Sequence, residues 1–270
     1  MRLFLLAAAV LGASGLFTQG VVAETGRSKP TVVLVHGAFA DASSWGAVIR
    51  RLQRDDYPVL APANPLRGVS SDAAYLSSFL DTVSGPVILV GHSYGGAVIT
   101  NAAVNHPNVK ALVYVAGFIP DVGQALAQLT PLPGSLLVPP GVPGHPATLI
   151  LRPCPPSSCG AGFDAYIDPA AFHNIFAADL DSDTTAIMAV TQRPASLVTL
   201  GEPSAAAAWK TIPAWALIPT RDNAIGTANL RAMARHAGAQ TVEVAASHSV
   251  MLSEPDAVVR LIRTAARATD

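Results

Sequence analysis

Three residues have the types and spacing to do chemistry together: Ser93, Asp222 and His248. Ser93 lies in Gly91-His92-Ser93-Tyr94-Gly95, after the apolar run Pro86-Val87-Ile88-Leu89-Val90 and before the small, helix-compatible stretch Gly96 to Val104. A G-x-S-x-G turn between a strand and a helix lifts a serine hydroxyl clear of the sheet, and its glycines let the flanking backbones approach. A serine hydroxyl is a weak nucleophile near neutral pH, so it needs a base, and the base needs an orienting carboxylate. In this arrangement acid and histidine follow the serine in that order, each beyond a later strand. Asp222 follows the apolar run Pro213 to Ile218, and His248 follows Thr241-Val242-Glu243-Val244. Asp121 also follows a strand and is the rival acid, but the loop of Asp222 follows the strand expected to carry it.

Acyl transfer further needs donors for a developing oxyanion. One should be the backbone N–H of Tyr94, the residue after the serine. The other comes from the loop after an early strand, here Thr31 to Val35 followed by His36-Gly37-Ala38-Phe39. Gly37 lets the backbone turn, which points to the amide of Ala38, with Phe39 as second choice. His36 is expected to brace that loop by hydrogen bonding, while His92 flanks the serine and His106 ends the following helix.

Such residues must be positioned by a sheet. Strands at Thr31–Val35, Val59–Pro62, Pro86–Val90 and Val109–Val115 alternate with helices near Trp45–Arg54, Asp72–Val83 and Gly96–Asn105. That alternation means a mostly parallel sheet covered on both faces. It then breaks: Thr130 to Gly160 holds nine prolines, incompatible with a regular helix or a central strand. Helical patterns return at Pro169–Ala178 and Asp181–Val190, and the core resumes near Ile212. The reading is therefore a core over residues 24–117 and 211–270, interrupted by a cap or lid at 118–210. Phe163, Tyr166, Phe172, Phe176, Met188 and Trp209 are the cap's large apolar side chains and are expected, as a group, to give a greasy pocket wall. His173 and Asp179 could also line the site, though a solvated or capping role suits them better.

His36-Gly37-Ala38, Gly91 to Gly96 and Ser247-His248-Ser249-Val250-Met251-Leu252-Ser253-Glu254-Pro255 resemble the α/β-hydrolase superfamily. More narrowly they are similar to the branch of plant methylesterases, hydroxynitrile lyases and bacterial esterase relatives, as is Val115 to Asp121. In that branch the Asp121 segment is noncatalytic. The resemblance covers about residues 30–265. It implies an α/β-hydrolase fold and a hydrolase without metal or other cofactor, acting on esters of small, largely apolar acids or alcohols. The lyases carry a lysine beside the catalytic histidine and a threonine after the oxyanion-loop histidine; this chain has Ser249 and Gly37, which argues against lyase chemistry. Perhydrolase or haloperoxidase-type activity would use the same triad, and a catalytically silent binding protein would be the reading from a different class.

Composition agrees with a compact enzyme: 50% of residues are hydrophobic, 13% are charged and the formal net charge is −1. No basic patch supports nucleic-acid binding. Met1-Arg2, the apolar stretch Leu3 to Phe17 and the small residues Val21 and Ala23, at minus three and minus one of a cut after Ala23, describe a signal peptide over residues 1–23 and an exported protein, with an uncleaved anchor as the alternative. The stretch is shorter than the ~20 apolar residues that span a bilayer, so stable membrane insertion is not expected. In an oxidising compartment Cys154 and Cys159 are expected to be bridged. Zinc is the rival, with His145 and His173 nearby, but those spacings match no standard ligand pattern. The expected partner is a small-molecule ester; oligomeric state is not written in the sequence.

Overall fold

The computed structural model describes residues 29–131, 134–160 and 162–269; the expected leader lies outside the described residues. The first half alternates β1 (Thr31–Val35), α1 (Gly46–Arg54), β2 (Val59–Leu60), α2 (Val69–Leu80), β3 (Val87–His92), α3 (Tyr94–Ala102) and β4 (Val109–Val115). A long excursion follows, with β5 (Leu149–Pro153), α4 (Pro156–Cys159), β6 (Phe163–Ile167), α5 (Pro169–Phe176), α6 (Ser182–Val190), β7 (Ala195–Ser196) and α7 (Val198–Gly201). The core closes with β8 (Ala214–Pro219), α8 (Thr227–His236), β9 (Gln240–Val244), α9 (Val250–Ser253) and α10 (Pro255–Ala268).

The six core strands run in the order β2-β1-β3-β4-β8-β9, every pair parallel. The chain therefore has an α/β-hydrolase architecture, a parallel sheet with helices around it. Strands β3 and β8 are buried along their whole length, which is why they read as unbroken apolar runs and not as alternating ones. Helix α3 is buried almost throughout; small and apolar residues from Gly95 to Ile99 permit that fit, and Thr100 and Asn101 beyond them are hydrogen-bonded. Helix α10 buries Val258, Val259, Leu261, Ile262, Ala265 and Ala266, the stripe expected of one helix face on a sheet. Parallel strands deliver their C-terminal ends to one edge. Register places Val35 beside Gly91, His92 beside Val115, and Pro219 beside Val244, so the loops after β1, β3, β8 and β9 emerge together.

The excursion leaves after β4 and returns before β8. Its two ends are tied to each other: Trp209 Nε1 donates to the Pro120 carbonyl at 2.9 Å, and Lys210 pairs with Asp121 at 2.5 Å. Inside it β5, β6 and β7 form a small antiparallel sheet that the sequence reading did not foresee. The prolines are still respected, because Pro153 ends β5 and β5 is an edge strand. Cys154 and Cys159 are bridged within this region, and the Cys159 carbonyl accepts from the Ser196 hydroxyl, joining the bridge to β7. Arg67 anchors the same sheet to the core through Asp164 at 2.8 Å and the Pro194 carbonyl at 3.1 Å.

Candidate active site

Ser93 follows β3 directly and adopts φ 52°, ψ −124°, a conformation costly for a residue with a Cβ. The surroundings hold it there. Its amide donates to the Val115 carbonyl at 3.3 Å, and its carbonyl accepts from the amides of Gly96 at 2.9 Å and Phe118 at 3.0 Å. A Cβ at Gly95 would stand 2.5 Å from the Val35 carbonyl oxygen, so only glycine lets α3 start this close to β1.

Asp222, three residues past β8, is buried. One carboxylate oxygen accepts from the amides of Ile225 at 2.9 Å and Gly226 at 3.3 Å; the other meets His248 Nδ1 at 2.6 Å. A carboxylate accepts, so Nδ1 carries the proton and Nε2 presents a lone pair. Nε2 is buried and has no hydrogen-bond partner among the described residues. The Ser93 hydroxyl and His248 Nε2 thus occupy neighbouring loops without a hydrogen bond between them. Such contacts are often long before substrate arrives. Adjacency is fixed through His92, whose ring centroid lies 4.7 Å from that of His248 and whose Nε2 donates to the His248 carbonyl at 3.1 Å. Burial, reinforced by the neighbouring His248, drives the His92 pKa well below the ordinary histidine value and keeps that ring neutral.

Ala38 and Tyr94 face the same cavity as Ser93. The Phe39 amide is committed to the Arg193 carbonyl at 3.1 Å, which removes the second-choice donor from this loop. The loop is braced as expected: His36 Nδ1 donates to the Gly37 carbonyl at 2.9 Å, and Nε2 accepts from the Asn64 amide at 2.9 Å. Those partners fix a neutral tautomer, and burial lowers the pKa of His36. Tyr94 is anchored by an interaction that the sequence reading missed, its hydroxyl donating to the buried Asp72 at 2.8 Å. Asp72 also accepts from the Arg67 amide at 3.0 Å, and burial raises its pKa. His106 bonds Ser77 at 2.8 Å, and His173 bonds Thr185 at 3.1 Å. Asp121 is engaged by Lys210 and His236, with its pKa lowered to about 2 by those hydrogen bonds. It is not part of the Ser93 cluster. Among the described residues no group of three or more His, Cys, Asp or Glu could hold a metal ion, and no helix is long and apolar enough to cross a membrane.

Over Ser93 lies a cavity of about 370 Å³, walled by Phe39, Phe118, Leu126, Leu137, Leu149 and Leu200. Among the described residues no charged side chain lines it; its polar edges beyond Ser93 are Thr130, Ser196 and Thr199, and Tyr94 presents its phenol to Asp72. The hydroxyl protons of Ser196 and Thr199 go to backbone carbonyls, of Cys159 and Ser196 respectively. The wall is not the one expected. Phe163, Tyr166, Phe172, Phe176, Met188 and Trp209 do not line this cavity. Phe172 and Phe176 are buried on the inner face of α5, with Phe176 5.0 Å from the His248 ring and 5.1 Å from Phe172. Phe176 instead packs on His248, His92 and Phe39, Phe163 is exposed, and the void is shaped by four leucines of the excursion together with Phe39 and Phe118.

A family model described as the alpha/beta hydrolase family matches residues 32–261. The chain belongs to that family. An alpha/beta hydrolase of Aspergillus novofumigatus is 27% identical to this alpha/beta hydrolase over 265 residues, 88% of this chain and 97% of its own. A carbendazim-hydrolysing esterase of Nocardioides sp. is 35% identical over 112 residues, which is 37% of this chain and 46% of the esterase, less than half of that protein's length. Among solved structures, polyneuridine aldehyde esterase superposes with a TM-score of 0.72 over 87% of this hydrolase and 98% of its own chain, at 16% identity, a likeness of fold. The superfamily resemblance read from the motifs is thereby borne out.

Proposed function

We propose that the protein is an exported serine carboxylesterase that cleaves small, uncharged, largely apolar esters through an acyl-enzyme. The observation that carries this reading is the buried Asp222–His248 pair, whose free Nε2 lone pair lies on the loop beside a serine held in a strained turn. The Ser93 hydroxyl attacks the ester carbonyl while its proton passes to Nε2 of His248. The resulting oxyanion accepts from the amides of Ala38 and Tyr94. Collapse expels the alkoxide, which takes the proton from His248 and leaves as the alcohol. Water, deprotonated by the same Nε2, then attacks the acyl-serine, and the acid departs as Ser93 recovers its proton. Asp222 keeps the proton on Nδ1 throughout and stabilises the transient imidazolium.

The cavity supports the substrate class: an apolar wall with no charged residue among the described ones favours a neutral acyl or alcohol group and offers nothing to a second carboxylate. The excursion over residues 118–210 serves as the cap that builds this wall. The Cys154–Cys159 bridge supports export, since such bonds persist in oxidising compartments. The test is labelling with a serine-directed fluorophosphonate followed by peptide mass spectrometry. The adduct is expected on Ser93; an adduct elsewhere on an active protein overturns the assignment.

A further inference from the structure

The loop carrying His248 is held by two different parts of the molecule. The core holds its beginning: the Arg221 amide donates to the Ala246 carbonyl at 3.1 Å, and the Arg221 guanidinium to the Ala245 carbonyl at 2.5 Å. Beyond that point His248 itself bonds Asp222 and His92, but the residues on either side of it take their partners from the excursion. Ser247 gives its amide to Asp179 Oδ2 at 2.9 Å and its hydroxyl to Asp179 Oδ1. Ser249 gives its amide and hydroxyl to the Phe176 carbonyl at 3.0 and 2.8 Å. The residues before and after the base are thus each fastened twice, to the end of α5 and to the short stretch after it. Ser247, His248 and Ser249 are all buried, so water cannot substitute for a lost acceptor without entering the site. Burial opposes ionisation of Asp179, yet the hydrogen bonds it accepts, those of Ser247 foremost, together outweigh it and leave its carboxyl below the ordinary range, hence charged at neutral pH.

We propose that Asp179 is a positioning residue for His248: through Ser247, and alongside the Phe176 carbonyl on the far side, its carboxylate sets the reach of the imidazole toward Ser93. The excursion then governs the base as well as the pocket wall. This inference rests on the reading of Ser93, Asp222 and His248 as the reacting triad. Asp179 does not line the cavity, so its loss acts on the chemical step and not on substrate affinity. A base displaced by about 1 Å costs on the order of 10²-fold in rate. Asp179→Ala should therefore lower kcat by ten- to a hundredfold while KM for a short aryl ester stays within twofold. Asp179→Asn should lose less, because Asn still accepts the Ser247 amide and its NH2 group can donate to the Ser247 hydroxyl oxygen.

The experiment measures kcat, KM and thermal midpoint with p-nitrophenyl butyrate for wild type, Asp179→Ala, Asp179→Asn, Ser247→Ala and the Asp179→Ala/Ser247→Ala double variant. The downfield proton NMR signal of His248 Nδ1–H is recorded alongside. Expected are a kcat loss without a matching KM change, the order Asp > Asn > Ala at position 179, a shifted or broadened His248 signal in Asp179→Ala, and a double variant no slower than Asp179→Ala alone. Wild-type kcat per folded molecule in Asp179→Ala, with an unchanged His248 signal, overturns the inference; so does a loss confined to KM. If Asp179→Ala does not fold, Ser247→Ala carries the test with an expected several-fold kcat loss, and wild-type kcat there overturns the inference. Ser93→Ala and His248→Ala, run in parallel, report on the triad itself: full turnover in either would overturn that reading whatever position 179 shows.

Discussion

Asp222→Asn is the substitution whose consequence the hydrogen bonds specify most fully. Asp222 Oδ1 accepts from the amides of Ile225 and Gly226, both donors only. An asparagine must therefore turn its oxygen to those amides and its NH2 group to His248 Nδ1. An NH2 group donates, so Nδ1 must surrender its proton and accept; the proton moves to Nε2. The lone pair that should deprotonate Ser93 is then gone, although no atom has moved far. Loss of the correct tautomer in such a triad lowers kcat by about 10⁴-fold, equivalent to about 5 kcal/mol of transition-state stabilisation. The assay is steady-state hydrolysis of a p-nitrophenyl ester, with circular dichroism and thermal midpoint to show an intact fold. Asp121→Asn is the control and should be nearly silent, since Asp121 pairs with Lys210 and His236. A loss of less than tenfold in Asp222→Asn, or a larger one in Asp121→Asn, would refute the tautomer argument.

Three further outcomes follow from particular contacts. Gly37→Ala should cripple turnover and lower the thermal midpoint, because the new Cβ would lie 2.6 Å from Ser93 Cβ and 3.0 Å from the His92 carbonyl oxygen; wild-type kcat/KM would show that the turn has room. Leu137→Ala and Leu200→Ala should shift preference toward longer acyl chains by about tenfold, as apolar pockets discriminate by about 1–3 kcal/mol per methylene, whereas Phe172→Ala should cost about 3–5 kcal/mol in denaturant unfolding. Chain-length profiles identical to wild type in both leucine variants would place the pocket elsewhere. Lastly, His36 has a lowered pKa in the fold, so the unfolded chain takes up its proton first: this contribution to stability is intact above the unfolded value of about 6.5 and is lost as pH falls from there toward the folded value. The thermal midpoint should fall between pH 7 and 5 and do so less steeply in His36→Gln; the same slope in both proteins would contradict the assignment.

The sheet and the candidate site residues were legible in the sequence because both depend on local pattern. Buried parallel strands write themselves as apolar runs, and Ser93 and Asp222 each follow one within a few residues; His248 follows the exposed edge strand β9, whose alternation of Val with polar residues still reads as a strand. The excursion was legible only as an interruption. Proline density correctly barred a central strand, but edge strand β5 tolerates Pro153 at its end, so the small sheet escaped notice. The expectation of an aromatic wall failed because side-chain size tells how much a residue buries and not what it faces; Phe176 spends its ring on His248 and Phe39. Asp179, read as solvated or capping, and Asp72 were not linked to their partners for a related reason. Their partners, Ser247 and Tyr94, are far along the chain, and no periodicity records a hydrogen bond between segments that meet only after folding.

The central claim is that ester cleavage passes through an acyl group on Ser93, and rapid-quench intact-mass spectrometry tests it directly. Wild-type protein mixed with excess p-nitrophenyl butyrate and quenched in acid should gain the mass of one butyryl group, carried on the peptide containing Ser93, while Ser93→Ala gains none and hydrolyses the ester no faster than background. Turnover at the wild-type rate by Ser93→Ala, or an acyl group on any other residue, would contradict the account.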